Sequence, residues 1–252
     1  VRGLAILLAA RITSPDRLEA LRRHDEGTLR LDEQIPVTNR FRSIADSSTY
    51  SLSPDDDSDS ALYERIGQTA SVRELLMRMI TRSSNLATNI MLERFPAADV
   101  RATLARIDGQ GMNVLRGVED IPAFERGMNN TTTADAFARV LESFARCRLL
   151  TAAACETGIE ILAQQEFNDM IPAGVPPGTR VANKTGSITR IRHDGGIVYP
   201  DGRAPYVLVV LTRGFDDAGA ADRLGADLSR IVWQHITSDA FTLPSRTGDA
   251  AL

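Results

Sequence analysis

A chain of 252 residues, 43% apolar and 25% charged, has the composition of a globular protein long enough to bury a sizeable core, and its formal net charge of −4 excludes the basic footprint that a nucleic-acid partner requires. No apolar run reaches the ~18 residues of a membrane span. Three scattered histidines and two cysteines eight apart offer no metal-ligand spacing, so neither a metal nor a cofactor is implied.

The opening VRGLAILLAARI reads as a buried apolar segment with no clear signal-peptide cleavage site. SPDRLEALRRHDEG predicts an amphipathic helix with Ser14 as N-cap, Pro15 at its first position and Gly27 as its stop. Residues 39–62 read as loop, and their acidic patch SPDDDSDS lacks the spacing of an EF-hand and reads as solvated. SVRELLMRMITRSSN, with Leu75, Leu76, Met79 and Ile80 at three- and four-residue intervals, predicts a helix that NLATNIMLERF follows directly with another. Residues 96–130 mix a short helix with loop. NTTTADAFARVLESFARCRLL and ACETGIEILAQQ predict two more helices, with Cys147 and Cys155 as free thiols in this helical stretch.

From Thr179 the period changes. TRVANKTGSITRI, HDGGIVYPDG and APYVLVVLTRG read as three consecutive antiparallel strands, the second turn at Pro200-Asp201-Gly202, and AGAADRLGADLSRIVWQHITS as a last helix that covers them. The fold class is α/β of the α+β kind. A helical lobe, about 14–170, stands beside a sheet with its C-terminal helix, about 179–238, in one domain of 1–240 with a tail of 241–252.

Lys184 in VANKTGS is the only lysine among 29 basic residues. A lysine beside a threonine hydroxyl and a glycine makes a strand edge suited to an anion: the ammonium supplies charge, the hydroxyl donates, and the glycine allows close approach. About one hundred residues earlier, SSN (Ser83 to Asn85) stands at a helix junction. With RSSNLATNIML, NTTTADAFARVLE, VANKTGS and GRAPYVLVVLTRG in this order, the chain resembles the class A serine β-lactamases and their penicillin-binding relatives from about residue 18 to 235.

That resemblance implies a role for each matching residue. Ser83 relays a proton to the leaving nitrogen, and Asn85 hydrogen-bonds the substrate's side-chain amide. Lys184, Thr185, Gly186 and Ser187 hold the substrate carboxylate with Arg192, and the Ser187 N–H forms half of an oxyanion hole. Arg190 is expected on the same strand face as Arg192. Glu119 in RGVED is the deacylating carboxylate, with Glu125 in ERGMN as the alternative. Asn130 stands where an acidic partner for Arg116 is implied, which predicts a looser loop.

One motif departs from the pattern. The resemblance implies SxxK at the start of the first core helix, but the only lysine is preceded by Val181-Ala182-Asn183, so no SxxK exists. By family register its serine and lysine fall on Ala10 and Thr13; the nearest substitute, Ser14-Pro15-Asp16-Arg17, carries an arginine, which stays protonated and cannot serve as base. The leading reading is a serine β-lactamase-like hydrolase that opens the β-lactam amide through an acyl-serine, with its nucleophile motif absent. A D,D-peptidase or esterase relative, and a non-catalytic module for β-lactam or acyl-peptide carboxylates, are the alternatives. The implied partner is a small β-lactam or acyl-peptide, and the implied location is periplasmic or secreted. Three strands, where the resemblance implies five, leave PYVLVVLTRG as an apolar edge through which self-association is expected.

Overall fold

The computed structural model describes residues 14–238; the opening apolar run and the tail from Phe241 lie outside them. Helix α1 (Ser14–Asp25) is followed by short strands β1 (Gln34–Pro36), β2 (Phe41–Arg42), β3 (Thr49–Tyr50) and β4 (Thr69–Ser71), which pair as β1–β4 and β2–β3. Six helices follow: α2 (Val72–Thr81), α3 (Asn85–Arg94), α4 (Ala97–Ala105), α5 (Ile121–Glu125), α6 (Ala134–Ala145) and α7 (Ala152–Leu162). Strands β5 (Arg180–Ile188), β6 (Ile191–Tyr199) and β7 (Tyr206–Arg213) form an antiparallel sheet in the order β5-β6-β7, and α8 (Ala218–Thr237) closes the described chain.

The helices end where their sequences say they should. Ser71, Thr133 and Thr151 each accept a backbone N–H from the first turn of α2, α6 and α7, satisfying a donor that the helix itself leaves orphaned. Along α2 the predicted residues Leu75, Leu76, Met79 and Ile80 are all buried. They join the central cluster with Leu18 and Leu21 of α1 and with Phe137 and Phe144 of α6. Helices α6 and α7 pack on one face of the sheet and α8 on the other. Gly195 of β6 is required by the first contact: a Cβ there would collide with the Phe137 ring. Thus the glycine after Asp194 lets the helical lobe press directly on the strand beside Lys184.

Three expectations are corrected. Cys147 and Cys155 are joined as a disulfide with Cα atoms 5.8 Å apart, because α6 ends at Ala145 and α7 starts at Ala152, and the intervening turn brings the cysteines together. Arg190 is not on a strand face. The register Ile188↔Ile191 leaves Thr189 and Arg190 as a two-residue turn, with Arg190 at φ 60°, exposed and paired with Asp216 at 2.9 Å. The acidic patch is only half solvated: Asp55 and Asp56 are exposed, whereas Asp57 and Asp59 are buried.

Among the described strands β7 has none on its outer side. On the neighbouring α8, Leu224, Leu228 and Ile231 are exposed at intervals of four and three, one stripe of the helix. No helix of the described residues is long and apolar enough to cross a membrane.

Candidate active site

The turn between α2 and α3 is where the site begins. Ser84 caps α3 by accepting the Ala87 N–H, and the preceding Ser83 takes φ 54°, a left-handed conformation that costs a non-glycine residue on the order of 1 kcal/mol. Several contacts hold this turn. Asp57 accepts the Leu86 N–H at 2.9 Å, placing a carboxylate at the start of α3, and Asp59 accepts from Arg78 at 2.9 Å and Arg82 at 3.4 Å. The buried acids of the patch therefore brace the turn that presents Ser83.

From the sheet, Lys184 reaches the same turn. Its Nζ donates to Ser83 Oγ at 2.5 Å and to the Thr185 carbonyl at 2.6 Å. The side chain is wholly buried, among the largest in the protein to be so. Alternation along β5 sends Lys184 toward the helical lobe and Thr185 and Ser187 to the opposite face. A cleft of about 220 Å³ opens beside them, lined by Ser83, Thr185, Gly186, Ser187 and Arg192, with Ser58 at its edge. Lys184 is not part of that lining. It stands behind Ser83, with its Nζ directed at that hydroxyl.

Arg192 is opposite Ser187 in the β5–β6 register, and its guanidinium donates to Ser187 Oγ. Across from it, Asp222 of α8 lies 3.9 Å from Arg192 Nε, and burial raises its carboxyl while Arg192 opposes that shift. Below the pair, Asp194 is fully buried. It accepts from the Ile171 N–H at 3.0 Å and from Asn183 Nδ2 at 3.1 Å, tying β5 and β6 to the segment that carries Met170 into the cleft. Complete burial pushes the Asp194 carboxyl up to about 7, against these hydrogen bonds and the nearby Lys184 charge. Burial lowers His193, which also borders the cleft.

The loop 115–130 supplies the carboxylate. Asn89, one turn after Asn85 on α3, clasps Val118: the Val118 N–H donates to Asn89 Oδ1 at 2.6 Å and Asn89 Nδ2 donates to the Val118 carbonyl at 3.0 Å. This fixes the next residue, Glu119, at φ 61°, where its carboxylate accepts from Asn85 Nδ2 at 3.3 Å. Glu125 is exposed at the end of α5. Asn130, wholly buried, accepts the N–H groups of Leu115 and Arg116 and donates to the Arg116 carbonyl. The expected looseness of this loop therefore meets a three-bond clamp in place of an ion pair. Arg116, 4% exposed, stacks over Phe124.

The structure brings Ser83, Asn85, Glu119, Lys184, Thr185, Gly186, Ser187 and Arg192 to one region and leaves Glu125 and Arg190 outside it. Sequence reasoning missed Asn89, Asp57 and Asp194. Asn89 had a signal, its four-residue interval from Asn85, and Asp194 stands opposite Thr185 once the hairpin register is known. Among the described residues, no three His, Cys, Asp or Glu side chains are grouped to hold a metal ion.

Comparison with known proteins bears on this arrangement. Residues 15–236 match the model of the Beta-lactamase enzyme family. Beta-lactamase 3 of Bacillus cereus is 28% identical over 207 residues, covering 80% of this chain and 61% of its own length. The β-lactamase of Streptomyces albus G is 33% identical over 175 residues, covering 64% of this chain and 53% of its own. The chain thus spans between about half and three-fifths of the length of these two relatives. Among solved structures, the ancestral (GNCA) class A β-lactamase superposes with a TM-score of 0.75 at 26% identity, over 91% of this chain and 85% of that one. PBP-A gives 0.72 at 22%, over 90% and 80%, a likeness of fold.

Proposed function

The chain belongs to the β-lactamase enzyme family, and from that premise we propose that its cleft takes a β-lactam or acyl-peptide by its carboxylate and opens the amide by acyl transfer. The observation that carries this reading is the convergence at one cleft of a lysine-backed hydroxyl, Ser83, with Thr185, Ser187 and Arg192. Arg192 and the two hydroxyls offer a forked set of donors to a carboxylate. Asn85 stands beside Glu119; in this reading Asn85 binds the acyl side-chain amide and Glu119 orients water for hydrolysis of the acyl intermediate. Calorimetry with benzylpenicillin tests it. Arg192→Ala should weaken binding by roughly 1.5–3 kcal/mol, the range for hydrogen bonds to a charged group; unchanged affinity would remove Arg192 and the carboxylate from the reading.

The outer edge of β7, together with the Leu224, Leu228 and Ile231 stripe on α8, favours self-association of the described unit. Light scattering is expected to show mass rising with concentration, and a monodisperse monomer would count against it.

A further inference from the structure

A separate cavity of about 260 Å³ is bordered by β2, β3, the start of α4 and residues 115–117, and it shares no lining residue with the cleft beside Ser83. Phe41, Leu92, Pro96 and Leu115 give it largely apolar walls. Arg116 is the exception. Its side chain is 4% exposed, yet its one side-chain hydrogen bond among the described residues runs from Nη1 to the Gly117 carbonyl at 3.0 Å, and Nε is buried with no acceptor. No acidic side chain among the described residues pairs with it. Asp120, whose charge bears on it, commits its oxygens to the Ile44 and Ala123 N–H groups. Burial pulls the guanidinium down, against Asp120 and Tyr50, but an arginine keeps its proton. A buried charge without a counter-charge is unfavourable, and an anion in this cavity would offset it.

Two further observations point to the same ligand chemistry. Pro96 and Ala97, the N-cap and first residue of α4, both line the cavity, and no side chain caps that helix, so its positive end borders the space beside Arg116. The Tyr50 hydroxyl also lines it, accepting from Asn89 Nδ2 at 3.4 Å and giving its own proton to no described residue. At the rim Arg42 and Glu93, both exposed, offset each other in charge. We propose that this cavity binds a small organic acid, its carboxylate at Arg116 and Tyr50 and its apolar body against Phe41, Leu92 and Leu115. The apolar walls favour an organic acid over a bare inorganic anion, which would leave them unfilled. Binding there bears on the loop that carries Glu119. Gly117 has no room for a Cβ against Tyr50 and Asn89, and Asn89 clasps Val118, the residue before Glu119. An occupant therefore steadies residues 115–119, whatever substrate the catalytic cleft takes.

Benzoate is the probe, with benzamide as its uncharged counterpart and formate as the same carboxylate without the apolar body. Calorimetry on the full chain at constant ionic strength should show saturable benzoate binding at least about 10-fold tighter than that of either control, the scale of one charge-assisted hydrogen bond or one buried ring face. Amide exchange at residues 115–119 should slow in the complex. Arg116→Met should abolish binding. Should that variant fail to fold, Ala97→Leu fills the cavity from the α4 side with Arg116 in place, and it should abolish binding as well. Arg192→Ala should bind benzoate as the parent protein does. Binding lost in Arg192→Ala would place benzoate in the catalytic cleft and overturn the proposal, as would binding kept in Ala97→Leu, equal affinity for benzamide or formate, or no binding of benzoate. Exchange at 115–119 unchanged at saturation would remove the link to the Glu119 loop.

Discussion

Lys184 Nζ and Ser83 Oγ, 101 residues apart in the chain, meet at 2.5 Å across the junction between sheet and helical lobe. Each lobe supplies what the other lacks. The α2–α3 turn provides a hydroxyl in a strained conformation, and β5 provides the chain's one lysine, already out of water. A site so divided depends on the packing that holds the lobes together, and the predictions below address that packing as well as the reacting groups.

Asp194 should make stability depend on pH. Its carboxyl is raised from 3.8 to about 7 by burial, so between those values the native state keeps a proton that the unfolded chain has released. The contribution is fully present below about 3.8 and is lost as pH rises through about 7. Denaturant titrations across this window should show that loss, and Asp194→Asn should abolish it. The single change leaves one of two buried donors, the Ile171 N–H or Asn183 Nδ2, without an acceptor and should cost roughly 1–3 kcal/mol. Exchanging the pair, Asn183→Asp with Asp194→Asn, should recover most of it; no recovery would show that the site does not work as a hydrogen-bonded pair.

Asn130 should prove a clamp and not a weakened ion pair. Asn130→Asp keeps the acceptor for Leu115 and Arg116 but sets a carboxylate oxygen against the Arg116 carbonyl. The expected loss is roughly 1–3 kcal/mol, with faster amide exchange across residues 115–119. A rise in melting temperature would mean that Arg116 had found an ion-pair partner and that the clamp was secondary.

Glu119 should matter for release of the acyl group and Glu125 should not. Glu119→Gln preserves the contact with Asn85 but removes the base, so an acyl adduct should accumulate while its rate of formation changes little. Glu125→Gln, exposed on α5, should match the parent protein. Equal behaviour of the two variants in pre-steady-state kinetics would withdraw Glu119 from the water-activating role.

Much of this was legible in the sequence, and the rest was hidden for physical reasons. The helices and the three-strand meander follow from local periodicity and caps, so α2, α6 and β5 to β7 could be placed within a few residues. Arg190 could not, because a two-residue turn between Ile188 and Ile191 is a matter of strand register. Asp57 and Asp59 read as solvated because the partners that bury them, Leu86, Arg78 and Arg82, lie 19 to 29 residues away. The cysteines were read on one helical stretch, and only the break after Ala145 brings them together. For the site, KTG and SSN named the residues, but the position of Lys184 behind Ser83 depends on the packing of two lobes, which spacing does not encode.

Lysine labelled at its side-chain nitrogen and terminal carbon reports on the centre of the site with one signal, since Lys184 is the only lysine. Its NMR response to benzylpenicillin is the most direct test of the cleft. The signal is expected to shift on addition of the ligand and to lose that response in Arg192→Ala at the same ligand concentration. A Lys184 signal unmoved at saturating benzylpenicillin would contradict the assignment of this cleft as the site of recognition.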